Sequence, residues 1–185
     1  MPLRKGKCYS GITRKPYTRK SKKRVLNYIK VVPQTKVPRF NSGDSKGFNS
    51  GKYKFLVSLI TKKEVQLRDN AIESARQEVH KKLEAEMKGN FFLSVRAYPH
   101  HVLREHALGS VAGSDRMTTG MAHSFGKSMG IAARLNANQK IFAVACNAEN
   151  APKVRKIFDK VRPKIPGDKG ITVEPLNIYN PMIKK

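Results

Sequence analysis

The sequence has few cysteines, few acidic residues and no long apolar run. Cys8 and Cys146 are its only cysteines, too few for a disulfide framework, so a reducing cytoplasm is expected. Its apolar runs suit buried strands, and none approaches the ~18 residues that a membrane-spanning helix needs. The N-terminus lacks the apolar core of a signal peptide. These absences exclude a disulfide-rich secreted protein and a membrane-spanning one.

Acidic residues are so scarce that the chain carries a large positive charge. Thirty-eight lysines and arginines face 13 aspartates and glutamates, which gives a formal net charge of +25. Such a charge attracts polyanions. A nucleic acid is therefore the expected partner, and an anionic membrane surface is the weaker alternative.

The charge is concentrated in the first part of the chain. Residues 1–52 carry a net charge of +14 and residues 53–185 a net charge of +11. We interpret residues 1–52 as a basic, extended arm with a short strand at 28–32, and residues 53–185 as the body. Aromatic residues and prolines in the arm favour a segment that becomes ordered on its partner.

The apolar patterns predict a single-domain α+β fold, an α/β sandwich of mostly antiparallel strands with two amphipathic helices and a long central loop. Thr61 and Glu64 suggest a capping box for a first helix at 62–87, with Gly89 as its C-cap. The second helix follows Asn150, with Pro152 in its first turn. A turn-rich connection is expected at 41–51, and a hairpin between 131–135 and 140–146. Further strands are predicted at 52–60, 91–98 and 171–175.

The segment 99–130 stands out because it interrupts this pattern. It has many glycines, varied polar side chains and no steady apolar period. So long an insertion in a compact domain is usually functional or disordered. Its chemical variety favours a functional loop.

Three kinds of site are considered in this segment and set aside. A phosphate-binding P-loop requires four residues between its glycine and Gly-Lys-Ser/Thr, whereas five separate Gly120 from Gly126. A zinc site at His100, His101 and His106 lacks a cysteine pair. No nucleophile stands out, because Cys146 ends a buried strand where an inert thiol is expected. We therefore expect no catalytic residue, no metal and no cofactor.

RNA binding is the interpretation that accounts for the basic residues, the interleaved aromatics and the glycine-rich loop. The alternative is a basic RNA-processing or RNA-modifying enzyme that uses the loop histidines and Asp115. A weaker possibility is an assembly chaperone that leaves the mature particle.

The central segment resembles one family closely. Its pattern is Arg-x-x-Pro-x-His-Val-x-Arg, then Ala-Gly-x-Asp-Arg-x-x-x-Gly-Met, then Phe-Gly-Lys. The matching residues are Arg96, Pro99, His101, Val102, Arg104, Ala112, Gly113, Asp115, Arg116, Gly120, Met121, Phe125, Gly126 and Lys127. This signature is similar to that of the large-subunit ribosomal protein family L10e, the archaeal and eukaryotic counterpart of bacterial L16. The chain departs from the family pattern at Ala122 and Ser128, where the family usually has arginine and proline.

The resemblance implies a hammerhead-type sandwich and a structural role in the large ribosomal subunit. It implies binding to large-subunit rRNA near the peptidyl-transferase centre, with a loop at about 104–120 that helps position A- and P-site tRNA. Neighbouring ribosomal proteins are further expected partners, and an archaeal-type protein of the cytoplasm is expected, with no membrane association.

The resemblance and the charge pattern together give two sets of site residues. The residues expected to bind rRNA are Arg4, Lys5, Lys7, Arg14, Lys15, Tyr17, Arg19, Lys20, Lys22, Lys23, Arg24, Arg96, His100 and His101. The residues expected in the tRNA-proximal loop are Arg104, Gly109, Gly113, Asp115, Arg116, Gly120 and Lys127.

Overall fold

The computed structural model describes residues 6–12, 17–18, 29, 31–105 and 126–176. Within these residues the strands form two antiparallel sheets, and helices pack against them. The predicted α+β class is confirmed.

The helices and strands of the described residues have the following bounds. The strands are β1 (Asn41–Gly43), β2 (Phe55–Thr61), β3 (Val65–Arg68), β4 (Phe92–Val95), β5 (His101–Glu105), β6 (Lys127–Leu135), β7 (Lys140–Cys146) and β8 (Lys169–Pro175). The helices are α1 (Ser45–Asn49), α2 (Asp69–Met87) and α3 (Ala151–Val161). One sheet has the order β1-β4-β7-β2-β8 and the other the order β3-β6-β5.

The main apolar core joins both sheets to α2 and α3. It includes Leu59 of β2, Val79 of α2, Ala133 of β6 and Phe158 of α3, all buried. The helix predicted after Asn150 is confirmed. Its residues at i, i+3, i+4 and i+7 are buried, as an amphipathic helix on a core requires. They are Val154, Ile157, Phe158 and Val161.

The predicted start of the first helix is wrong. Residues 65–68 form strand β3, and α2 begins only at Asp69. Thr61 caps no helix; its hydroxyl donates to the backbone oxygens of Asn136 and Gln139, at 2.8 and 3.3 Å. The C-cap of α2 is Lys88, in a left-handed conformation, rather than the following Gly89.

The predicted hairpin of 131–135 with 140–146 is also wrong. The strands at these positions, β6 and β7, lie in different sheets. The turn between them bonds instead to the end of β2, because the N–H of Asn138 donates to the oxygen of Thr61 and the N–H of Thr61 donates to the oxygen of Gln139. The chain therefore passes from one sheet to the other at this corner.

The segment predicted as a turn-rich connection contains β1 and α1. Strand β1 pairs with β4, and the Asp44 carboxylate caps α1 by accepting the N–H of Gly47 at 2.8 Å. A Cβ atom at Gly43 would lie 2.2 Å from the backbone oxygen of Phe91, so the close approach of β1 to this residue requires glycine. Val37 is buried in the main core. In the predicted strand at 28–32, the described residues Ile29, Val31 and Val32 belong to no strand.

Candidate nucleic-acid interface

The two ends of the glycine-rich segment are paired strands. Strands β5 and β6 run antiparallel, and their last pair is Glu105 with Lys127. The two flanks of the segment predicted as a loop at 99–130 therefore pair with each other as an antiparallel ribbon. The part of this segment between them, 106–125, lies outside the described residues. We call the β5–β6 pair the loop ribbon. It holds the two ends of segment 106–125 close together.

Part of the basic arm is bonded along the loop ribbon. The backbone N–H of Tyr17 donates to Nδ1 of His101 at 2.8 Å. The N–H of Val102 donates in turn to the backbone oxygen of Tyr17, also at 2.8 Å. Ile29, Val102 and Ile131 form a small buried cluster against which Tyr17 packs. The arm at Tyr17 is thus fixed to the ribbon by two hydrogen bonds and by apolar contact.

Arg104 lies at this junction. Its guanidinium carbon is 3.6 Å from the centroid of the Tyr17 ring, a close cation–π contact. Its Nη1 atom is buried and has no hydrogen-bond partner in the described part of the chain. A buried guanidinium nitrogen normally has an acceptor. The unpaired donor makes Arg104 suited to an anionic oxygen from a partner.

A groove of about 520 Å³ lies next to Arg104 and the root of the loop. Its lining residues are Tyr17, Ile29, Val31, Arg104, Gly126, Lys127 and Ser128. Lys127 is exposed, and the Ser128 hydroxyl donates to the backbone oxygen of Val31 at 3.2 Å. Proline, the residue expected from the family pattern at 128, has no hydroxyl for this bond. The two cations of the groove suit a nucleotide phosphate, and its apolar walls can contact the sugar or the base.

His101 acts in this arrangement as a neutral side chain. Burial, helped by the charges of Arg134 and Arg104, lowers its pKa to about 4. Because the N–H of Tyr17 donates to Nδ1, that nitrogen is unprotonated, and the ring proton of the neutral form is on Nε2. His101 therefore holds the arm in place at neutral pH without adding charge to the surface.

A second part of the arm is bonded to β3. The Gln66 N–H donates to the oxygen of Ser10 at 2.9 Å, and its side-chain amide donates to the oxygen of Tyr9 at 2.7 Å. The Tyr9 hydroxyl donates to Glu105 of the ribbon at 3.1 Å, and Arg68 lies over the Tyr9 ring. The arm thus contacts β3, β5 and the last residue before segment 106–125.

The structure places only some of the predicted site residues. Tyr17, His101, Arg104 and Lys127 come together around the loop ribbon, while Arg96 and His100 are exposed on the segment between β4 and β5. The backbone of Lys7 lies in a 3-10 turn at Gly6–Tyr9. The predicted residues outside the described part are Arg4, Lys5, Arg14, Lys15, Arg19, Lys20, Lys22, Lys23, Arg24, Gly109, Gly113, Asp115, Arg116 and Gly120.

Sequence reasoning missed residues that contribute to this surface. Gln66 lies in the span for which the sequence predicts the first helix, and no local pattern marks Tyr9 as an anchor of the arm. Only the contact between the two, 57 positions apart in sequence, reveals their role. The exposed Tyr98 was also missed, although alternating exposure at 96, 98 and 100 follows from an extended segment.

The described residues provide no metal cluster, and the thiol of Cys146 is buried. No group of three or more His, Cys, Asp or Glu side chains among them converges as metal ligands would. Burial raises the pKa of the Cys146 thiol to about 11, so it is protonated at neutral pH and unreactive. None of the described helices has the length and apolar character needed to cross a membrane.

Comparison with known proteins identifies the family. The profile described as ribosomal protein L16p/L10e matches residues 12–172. The chain belongs to this family. L16p/L10e proteins are structural components of the large ribosomal subunit, not enzymes, and the resemblance found in the central signature is confirmed.

The chain matches archaeal relatives over almost its full length. It is 40% identical over 176 residues to the large ribosomal subunit protein uL16 of Thermofilum pendens, covering 94% of this chain and 98% of the relative. It is 41% identical over 180 residues to the uL16 protein of Metallosphaera sedula, covering 95% and 97%. The uL16 protein of Methanococcus aeolicus is 38% identical over 167 residues, covering 90% and 91%. These matches confirm the expected archaeal type of L16p/L10e protein.

Proposed function

We propose that this ribosomal protein binds large-subunit rRNA through its basic arm and helps position A- and P-site tRNA through segment 106–125, near the peptidyl-transferase centre. The observation that carries the proposal is the bonding of the arm to the loop ribbon. Tyr17 is hydrogen-bonded to His101 and Val102, on the strand that leads into segment 106–125. The same ribbon therefore supports both the arm and the loop.

The shared support gives the arm a role beyond affinity. When the arm is docked on rRNA, the bonds that its Tyr17 and Tyr9 make with the ribbon fix the direction in which the ribbon projects its loop. The Tyr9–Glu105 bond lies at the last residue before the loop. A loop held at its root loses less conformational freedom when it meets tRNA, so its contacts are stronger for a given area.

The groove at the root of the loop supplies a phosphate contact. The buried, unpaired Nη1 atom of Arg104 offers a charge-assisted hydrogen bond, and Lys127 adds an exposed point charge beside it. Contacts of this type position a protein on RNA without reading the base sequence. We assign this groove to an RNA phosphate at the root of the tRNA-proximal loop, with further tRNA contacts made by Arg116 and the other residues of the loop.

Directed cleavage of RNA tests the placement of the loop. In a Cys8→Ser background the remaining Cys146 is buried, so an Arg116→Cys variant carries one accessible thiol for tethered Fe(II)-EDTA. Large subunits reconstituted with this variant should show hydroxyl-radical cleavage of rRNA at the peptidyl-transferase centre and at the acceptor ends of bound tRNA. Val173→Cys, on an exposed position of β8, is the matched control.

The control variant shows which cleavage depends on segment 106–125. Val173→Cys should give a different cleavage pattern without cleavage of tRNA. The role assigned to segment 106–125 would be disproved if the Arg116→Cys subunits gave no cleavage of tRNA, or if the two variants cleaved tRNA equally.

A further inference from the structure

Three aromatic rings that do not line the groove at the loop root form a column. Phe40 and Tyr98 are stacked, with ring centroids 4.9 Å apart and an interplanar angle of 25°. Tyr98 and His100 are 4.4 Å apart with a tilt of 40°. Phe40 packs against the main core and gives the column a fixed base. The column rises from the core to the surface.

The outer part of this column is unusually exposed. Half of the Tyr98 surface is accessible, and His100 is exposed. Burial alternates along this extended segment: Ala97 and Pro99 are buried, and the residues on either side of each are exposed. Arg96 therefore shares the outward side with the two rings. The exposed part of Tyr98 offers a partner both an aromatic surface and a hydroxyl group, which is why tyrosine is enriched at interfaces.

The charges around the column favour a nucleic acid as that partner. Arg39 precedes Phe40, and both Arg39 and Arg96 are exposed. The stretches 31–43 and 91–104 contain no acidic residue. Aromatic rings flanked by arginines are the arrangement that proteins use for unpaired bases, since the rings stack on the base and the cations meet the phosphates.

We infer that an unpaired RNA base stacks on the outer end of this column, where His100 lies against Tyr98. Arg39 and Arg96 contact the neighbouring phosphates. This inference rests on the proposed rRNA binding and adds a single-stranded nucleotide to it. A base in a continuous helix is already stacked on its neighbours and is not available to the column, so the site selects a bulged or looped nucleotide.

The test compares a single strand with a duplex. The full chain is titrated with an oligo(rU) strand of about 12 nucleotides, whose bases are largely unstacked, that contains one 2-aminopurine, and with the duplex of the same strand. Wild type should quench the 2-aminopurine fluorescence of the single strand. Tyr98→Leu should abolish the quenching and weaken single-strand binding by about 5- to 150-fold, the range expected for loss of one stacked base. Tyr98→Phe, which keeps the ring, should retain both.

The affinity for duplex RNA distinguishes failure of the stacking site from failure of the proposed rRNA binding. Tyr98→Leu should change duplex affinity by less than about twofold, because phosphate contacts do not need the ring. If wild type binds neither RNA, the proposed rRNA binding fails. If wild type binds both and Tyr98→Leu leaves single-strand affinity and quenching unchanged, or weakens both RNAs equally, the stacking site alone is disproved.

Discussion

Arg104 and Tyr17 are joined by a cation–π contact of 3.6 Å, although they are 87 positions apart in sequence. Tyr17 belongs to the basic arm, and Arg104 belongs to the ribbon that carries segment 106–125. The backbone of Tyr17 is also hydrogen-bonded to Val102, two residues before Arg104. The side-chain contact and the backbone bond therefore form one local unit.

Replacing Arg104 by alanine should loosen the arm. The Val102 N–H is protected from exchange by the backbone oxygen of Tyr17, and a cation–π contact is worth about 0.5–2 kcal/mol. We expect hydrogen–deuterium exchange at Val102 to accelerate about 2- to 30-fold in Arg104→Ala, while the buried Val144 of β7 is unchanged. Equal exchange at Val102 in both proteins would show that the arm docks without the guanidinium.

Acidification should release the arm through His101. The folded pKa of about 4 lies below the ordinary 6.5, so between these values the unfolded chain binds a proton that the folded chain does not. Stability is therefore highest above pH 6.5 and falls as the pH is lowered towards 4. Asparagine can keep an acceptor near the position of Nδ1 but does not titrate, so His101→Asn should flatten the dependence of Tm on pH between 7 and 5. Parallel pH profiles for wild type and His101→Asn would rule out this histidine as the cause.

Segment 106–125 should be dispensable for folding. The last strand pair, Glu105 with Lys127, brings its ends together, so a short Gly-Ser turn can replace the segment. The variant should keep the helical and strand content measured by circular dichroism, with a Tm close to that of wild type. Reconstituted subunits that contain it should hold A- and P-site tRNA less tightly in filter binding. Undiminished tRNA retention would contradict the proposed role of the loop.

Lys127 should contribute one ionic contact to RNA binding. Each neutralised phosphate adds roughly one to the slope of log K against log salt, so Lys127→Ala should reduce that slope by about one for rRNA. Lys81→Ala removes the same charge from an exposed position of α2, a helix in which Glu78 and Glu84 lie close by in sequence. This control should leave the slope unchanged. If both variants lower it equally, the effect is one of net charge alone.

Removing one partner of the Glu73–Arg76 ion pair should destabilise the protein far more than breaking an exposed pair does. Their closest oxygen and nitrogen are 2.6 Å apart, and both side chains are nearly buried. The hydrogen bond from Arg76 holds the pKa of Glu73 below its ordinary value. Glu73→Ala leaves the guanidinium without its partner, so we expect a loss of about 3 kcal/mol in urea unfolding.

An exposed pair provides the comparison. Lys63 and Asp168 are 3.9 Å apart and largely in solvent, so Lys63→Ala should change the free energy of unfolding by less than about 0.5 kcal/mol. Similar losses in the two variants would show that burial does not govern the strength of the Glu73–Arg76 pair.

The sequence predicts those elements whose pattern is set by local burial. Strands β2 and β7 are apolar runs in the middle of the larger sheet, and α3 shows the i, i+3, i+4, i+7 spacing with Pro152 in its first turn. The central signature predicts the family. These features depend on neighbouring residues and so are visible without the fold.

Elements that depend on distant contacts were not predictable. Val65 and Leu67 fit both a helical ridge and a strand. The strand forms because residues 65–68 pair with β6, and Gln66 is bonded in addition to Tyr9 and Ser10 of the arm. The turn at Asn136 looks like a hairpin turn until its bonds to Thr61 are known. The junction of Tyr17 with Arg104 likewise joins two parts of the chain that carry no common local pattern.

The contacts of the arm with β3 and β5 also bear on the protein before it meets RNA. These are the two outer strands of the three-stranded sheet, and the unpaired N–H and C=O groups of such edges are templates for association between chains. The arm engages the N–H of Gln66 on one edge and that of Val102 on the other. With these two N–H groups occupied, fewer edge groups are open to a second chain, so we expect the arm to reduce strand-to-strand association of the protein before it binds RNA.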